Sequence, residues 1–92
     1  MQWDLKRYKT LLTTTAEASH GFTADMRGLK WCDTCLLVLP CGRSAHLEAG
    51  WAAGAGKRLL IYLPEPIEPD LMYLLADTIC LSMDEIKAEL DV

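Results

Sequence analysis

Residues 35–63 read CLLVLPCGRSAHLEAGWAAGAGKRLLIYL, and the pattern of this stretch decides the fold. Cys35–Leu39 and Arg58–Leu63 are near-continuous apolar runs, the first bounded by Asp33 and Pro40, the second by Lys57 and Pro64. Strands that are apolar at almost every position are covered on both faces, which is the habit of parallel sheets. Between the runs, Ser44 to about Ala55 is long enough for a three-turn helix, with Ser44 as its N-cap and Gly54 and Gly56 closing it. Strand, helix and strand in some thirty residues predict a right-handed βαβ unit.

Downstream, proline-flanked Glu65–Pro69 leads to a helix around Asp70–Ala76, then a short third strand near Thr78–Leu81. Ser82-Met-Asp-Glu85 is a capping box that opens a final helix to about Leu90. Upstream, Leu5, Tyr8, Leu11, Leu12 and Ala16 follow the spacing of one helical face, so an amphipathic helix is expected from Asp4 to about Ser19. Gly21 should stop it, and a second short helix, capped by Thr23, should run to about Trp31. The expected architecture is α/β: a small three-layer sandwich around a parallel sheet of about three strands. So short a sheet has two edges, and edges invite pairing, so self-association is expected.

Composition agrees with one globular domain spanning residues 1–92. The apolar fraction is 51% and the charged fraction 24%. Nine Lys and Arg against thirteen Asp and Glu give a net charge of -4, and the bases cluster only at Lys6–Arg7 and Lys57–Arg58, which disfavours a nucleic-acid surface. The longest apolar runs are far shorter than the roughly 18–20 residues of a membrane span, and Met1 is followed by charge, so a soluble, cytoplasmic protein is expected.

Cys32-Asp-Thr-Cys35 has the CxxC spacing of redox dithiols and zinc knuckles. A redox pair normally opens a helix, whose dipole lowers the thiol pKa, whereas this one leads into a strand. A zinc site would need a second CxxC or a close His pair, and His20 and His46 are far apart in sequence. Reduced, packed cysteines are the expectation, with no metal and no cofactor. Gly50, Gly54, Gly56 and Lys57 suggest a phosphate loop only superficially: they close a helix, and Arg58 stands where magnesium binding needs Ser or Thr.

In open parallel sheets, ligands collect outside the carboxyl ends of the strands, where loops enter helix N-termini. There Gly42 allows close backbone approach, Arg43 offers a planar cation, and Ser44 with the helix-start N–H groups forms an anion cradle. Glu48, one turn further on, is a carboxylate near the positive end of the helix dipole, which suits a nucleophile or base. His46 is expected at the rim, and Trp51 serves an interface as readily as a pocket.

The stretch Gly42–Lys57, following a strand that begins just after Asp33, resembles the signature of the nucleoside 2-deoxyribosyltransferases: Glu48, Gly50, Ala52, Gly56 and Lys57 match its Glu-x-Gly-x-Ala-x-x-x-Gly-Lys helix. Ala24-Asp-Met-Arg-Gly-Leu-Lys-Trp-Cys-Asp33 is similar to the family's Asp-x-x-Gly-Ile-x-x-x-Asp segment. The resemblance implies a flavodoxin-like domain, truncated by the absence of the family's opening strand, loop and helix, that cleaves N-glycosidic bonds of 2'-deoxynucleosides or their 5'-monophosphates. It implies Glu48 as the nucleophile that captures the anomeric carbon and Asp25 as proton donor to the departing base. The loop of Gly42, Arg43 and Ser44 would hold the sugar or its 5' group, with His46 at the rim as a further substrate-binding candidate, and a homodimer or higher homo-oligomer would restore the missing wall. The other function compatible with these residues is a non-catalytic nucleotide-binding or interaction module.

Overall fold

The computed structural model describes residues 4–66, 68 and 70–91. The chain divides into two compact units, Met1–Trp31 and Cys32–Val92. The first is helical: α1 spans Leu5–Thr14 and α2 spans Ala16–Trp31. Asp4 caps α1 by accepting the Arg7 amide at 3.1 Å.

The interruption falls at Thr15 rather than at Gly21. Thr15 is extended, its hydroxyl donates to the Leu11 carbonyl at 2.7 Å, and it accepts the Ala18 amide at 3.3 Å. One residue therefore ends α1 and caps α2. Thr13 and Thr14 likewise turn their hydroxyls back on the carbonyls of Lys9 and Thr10, a local competition that weakens a helix where such residues run together. Gly21 and Thr23 lie inside α2. A mid-helix glycine costs only about 1 kcal/mol, which a sixteen-residue helix absorbs.

In the second unit β1 (Thr34–Val38), α3 (Arg43–Gly54), β2 (Arg58–Tyr62), the 3-10 turn η1 (Leu71–Leu75), β3 (Thr78–Cys80) and α4 (Met83–Leu90) follow one another. Of the proline-flanked segment expected before η1, Ile67 and Pro69 lie outside the described residues. The sheet is parallel with order β1-β2-β3, and the register pairs Leu37 with Ile61 and Ile61 with Ile79. Asp77 extends the β2–β3 pairing by one step: its amide donates to the Leu59 carbonyl and its carboxylate accepts the Leu59 amide, both at 2.8 Å.

One face of the sheet packs Leu37, Leu39, Leu59 and Ile61 against Ala49, with Ala45 and Ala53 of α3 and Tyr73 and Ala76 around η1 at the margin. On the other face α4 lies over the β2–β3 side. Its Ile86 is buried, and its end is tied down by Arg58, which pairs with the Glu89 carboxylate and donates to the Glu89 carbonyl at 2.7 Å. Leu60 and Cys80 are fully buried beneath it. The expected three layers are thus formed by α3 with η1, the sheet, and α4. Full coverage on both faces holds for β2 only: Leu36 and Val38 of β1 are 39% and 49% exposed on the second face, where the eight-residue α4 lies over the β2–β3 side.

The α4 capping box forms with a shift. Ser82 accepts the Glu85 amide at 3.1 Å, while the Glu85 carboxylate accepts the Leu81 amide at 2.6 Å rather than that of Ser82. At the end of α3 the Lys57 amide donates to Ala52 and the Gly56 amide to Ala53, the double return of a Schellman motif, with Gly56 at φ +80°. Gly56→Ala should therefore destabilise the second unit by about 1 kcal/mol in urea unfolding, and Gly54→Ala, inside the helix, should be neutral or stabilising.

Candidate functional site

The N-cap of α3 lies two residues earlier than the sequence predicts. Gly42, not Ser44, occupies the N-cap, and no side chain caps it. Ser44 is exposed in the first turn. The N-cap carbonyl is held from the other direction: the His46 amide donates to the Gly42 carbonyl at 3.3 Å and His46 Nδ1 lies 2.9 Å from the same oxygen. The amides of Arg43, Ser44 and Ala45 are the ones a helix start leaves without internal partners, and they open toward the carboxyl edge of the sheet.

His46 is half-buried and belongs to a small polar cluster. A carbonyl can only accept, so the neutral ring carries its proton on Nδ1 and offers the Nε2 lone pair to the Tyr73 hydroxyl, 3.0 Å away. The two rings stack, with centroids 5.8 Å apart and planes inclined by 17°. Cys41 Sγ lies 3.6 Å from Nδ1. Asp70 caps η1 by accepting the Met72 amide at 2.8 Å, and it joins His46, Tyr73 and Met72 around a cavity of about 210 Å³ floored by Leu37, Leu59 and Ile61. Tyr73, Asp70 and Cys41 were not legible as site residues. The available signal was topological: in a parallel sheet the loops after adjacent strands share one edge, so the segment after β2 faces the segment after β1.

Glu48 lies elsewhere on the helix. Two residues apart on an α-helix means roughly 200° around its axis, so Glu48 and His46 sit on opposite flanks of α3. Glu48 is half-buried, makes no hydrogen bond or ion pair among the described residues, and is not among the residues lining the 210 Å³ cavity. It shares its flank with Ser44, one turn back, and it is close enough to Cys35 of β1 to push that thiol's pKa up. Asp25 is exposed on α2, so the two candidate catalytic carboxylates belong to different units. Gly42 and Arg43 are exposed at the start of α3.

No disulfide joins Cys32, Cys35, Cys41 or Cys80. Burial raises the pKa of Cys80, with Glu85 and Glu89 adding to the effect and Arg58 opposing it. Burial, then Cys32 and Glu48, raises that of Cys35, and burial alone that of Cys41. Tyr73 is raised by burial, then by Asp70 and Cys41. These groups bind their protons more tightly folded than unfolded, so the stability they contribute is complete below the unfolded titration range and is lost as pH rises through the folded one. Thermal midpoints should be flat up to about pH 8 and fall above about pH 9, earlier than loss of surface lysine charge would produce. Cys80→Ala should reduce that alkaline loss. Among the described residues no group of three or more His, Cys, Asp or Glu side chains is placed to hold a metal ion. No helix among them is long and apolar enough to cross a membrane.

Searches against family models and against curated proteins gave no match to this sequence. Among solved structures, the CMP N-glycosidase BcmB of Clostridium botulinum is similar to this chain, with a TM-score of 0.61 and 21% identity over 97% of this chain and 93% of that one. At that identity the likeness is one of fold. It agrees with the α/β, flavodoxin-like sandwich with a short three-stranded parallel sheet.

Proposed function

We propose that this protein is a nucleotide N-glycosidase of the nucleoside 2-deoxyribosyltransferase-like kind, soluble and cytoplasmic, acting on a nucleoside or 2'-deoxynucleoside 5'-monophosphate through Glu48. The observation that carries the reading is Glu48 itself: a half-buried carboxylate without a partner among the described residues, one turn into a helix whose first-turn amides have no side-chain cap, in a fold shared with an enzyme that acts on CMP. A carboxylate with no competing hydrogen bond is free to meet an electrophilic carbon, and uncapped amides beside Arg43 suit a 5'-phosphate.

In the proposed reaction the Glu48 carboxylate attacks C1' as the bond to the base breaks. The base departs with the bonding pair and takes a proton from a general acid. Water then attacks C1' of the glycosyl ester, loses a proton to the same acid–base group, and frees the sugar phosphate and Glu48. A second nucleophile in place of water would give transfer. Base release from CMP, dCMP and the purine monophosphates, followed by chromatography, tests the reading; no release from any of them defeats it.

A second reading rests on the start of α3, where amides without a side-chain cap stand beside the exposed Arg43 and suit an anionic ligand whether or not turnover follows. It makes the chain a binding module that retains nucleotide affinity without turnover. Calorimetric binding of the monophosphates with no base release would support it.

A further inference from the structure

The cavity of about 210 Å³ beside His46 opens on the flank of α3 opposite Glu48, and no step assigned to Glu48 uses it. Its hydrogen-bonding capacity is one-sided. His46 gives its Nδ1 proton to the Gly42 carbonyl and takes the Tyr73 proton on Nε2, so both ring nitrogens are engaged. Tyr73, having donated, keeps lone-pair capacity on its oxygen. Asp70 accepts the Met72 amide on Oδ1, and its Oδ2 has no partner among the described residues. The lining side chains thus offer acceptors and a negative charge, and no remaining N–H or O–H donor. The floor of Leu37, Leu59 and Ile61 is apolar. The surrounding chain has the same sign as Asp70: between Leu59 and Ile86 there are six acids and no base, and Arg58 is held by Glu89. Drug-sized ligands occupy roughly 300–1,000 Å³, whereas apolar cavities of about 150 Å³ already admit a benzene ring, so this one suits a single small ring.

We propose that this cavity binds a small organic cation, a primary ammonium or amidinium on an apolar body, whose N–H groups donate to Asp70 Oδ2 and the Tyr73 oxygen while the body rests on Leu37, Leu59 and Ile61. Such a ligand supplies the donors and the charge that the lining lacks. An anion meets acceptors and a like charge, so a nucleotide phosphate, which suits the exposed start of α3, is refused here. The apolar contact supplies most of the affinity, because an ion pair with an exposed carboxylate adds no more than about 1 kcal/mol. A dissociation constant on the order of 1 mM is expected for a one-ring amine.

The test is an amide NMR titration of the full chain with benzylammonium, and with benzyl alcohol and benzoate as the neutral and anionic counterparts. Benzylammonium should move the amides of Gly50, Met72 and Tyr73 in a saturable way, and the other two should bind more weakly by about fivefold or more. Asp70→Asn should weaken the amine by about the same factor and leave the alcohol unaffected; asparagine caps as well as aspartate, so η1 is kept. Gly50→Leu is the second variant. Gly50 lines the cavity, a Cβ there meets nothing within 4 Å, and leucine favours a helix over glycine, so the chain should fold while the added side chain blocks the space and abolishes binding. Absence of saturable shifts up to about 20 mM benzylammonium overturns the proposal. Equal binding of the three compounds overturns it too, since the hollow is then merely apolar, and so does undiminished amine binding by Asp70→Asn or Gly50→Leu. None of these results depends on base release, so the site and the reading of Glu48 can fail separately.

Discussion

Glu48→Gln should reduce base release from nucleoside 5'-monophosphates by at least about 10³-fold, equivalent to about 4 kcal/mol of transition-state stabilisation. The amide keeps the size and the half-buried position of the side chain, so folding and nucleotide binding should be nearly unchanged while the nucleophile is lost. Because Glu48 makes no hydrogen bond or ion pair among the described residues, no partner is orphaned by the exchange and any rate loss is chemical. Glu48→Ala should lose as much, and added formate should restore part of its activity by supplying a small carboxylate in the space the side chain vacates. A glutamine variant within tenfold of wild type would show that another group does the chemistry.

Leu60→Ala should cost about 3–4 kcal/mol, the largest stability loss expected of a single core truncation in this chain. Leu60 is fully buried at the centre of the middle strand, hydrogen-bonded into both neighbours and covered on its side by the layer that holds Ile86. Small domains have roughly 5–10 kcal/mol in total, so the variant should unfold at a markedly lower urea concentration and be partly unfolded at 37 °C. Val38→Ala removes a side chain that is half exposed on the edge strand, and it should cost no more than about 1 kcal/mol. Equal losses at the two positions would contradict the one-sided coverage of β1.

Several elements followed from local rules that tertiary context did not override. The apolar runs at Cys35–Leu39 and Arg58–Leu63 became β1 and β2 within one residue at each end, because a five-residue run of Leu, Ile, Val and Cys has few other ways to be buried. Ser82 capped α4 as its capping-box spacing required. Gly56 closed α3 because a left-handed residue was needed there. The break between α1 and α2 falls at Thr15 and not at Gly21, because three consecutive threonine hydroxyls supply a stronger local alternative to the helix than a single glycine does.

The candidate site was legible in part. Gly42, Arg43, Ser44, His46 and Glu48 could all be assigned to one loop and helix from their order alone, since a parallel strand delivers its chain to the carboxyl edge of the sheet. Their division was not. Which flank of α3 faces η1 depends on the rotation of the helix against the sheet, set by Ala45, Ala49 and Ala53 packing on Leu37, Leu59 and Ile61. That rotation turns His46 toward Tyr73 and leaves Glu48 on the side of Cys35.

The amino-acid order by itself determined the element types, the parallel βαβ unit and the chemical identity of the groups at the strand ends, because these depend on periodicity and capping within a few residues. Only the tertiary structure decided that Tyr73 completes the hydrogen bonding of His46, that β1 keeps one face open, and that Glu48 has no partner among the described residues. Those outcomes depend on contacts between residues distant in the chain, whose geometry is fixed when the helices settle on the sheet.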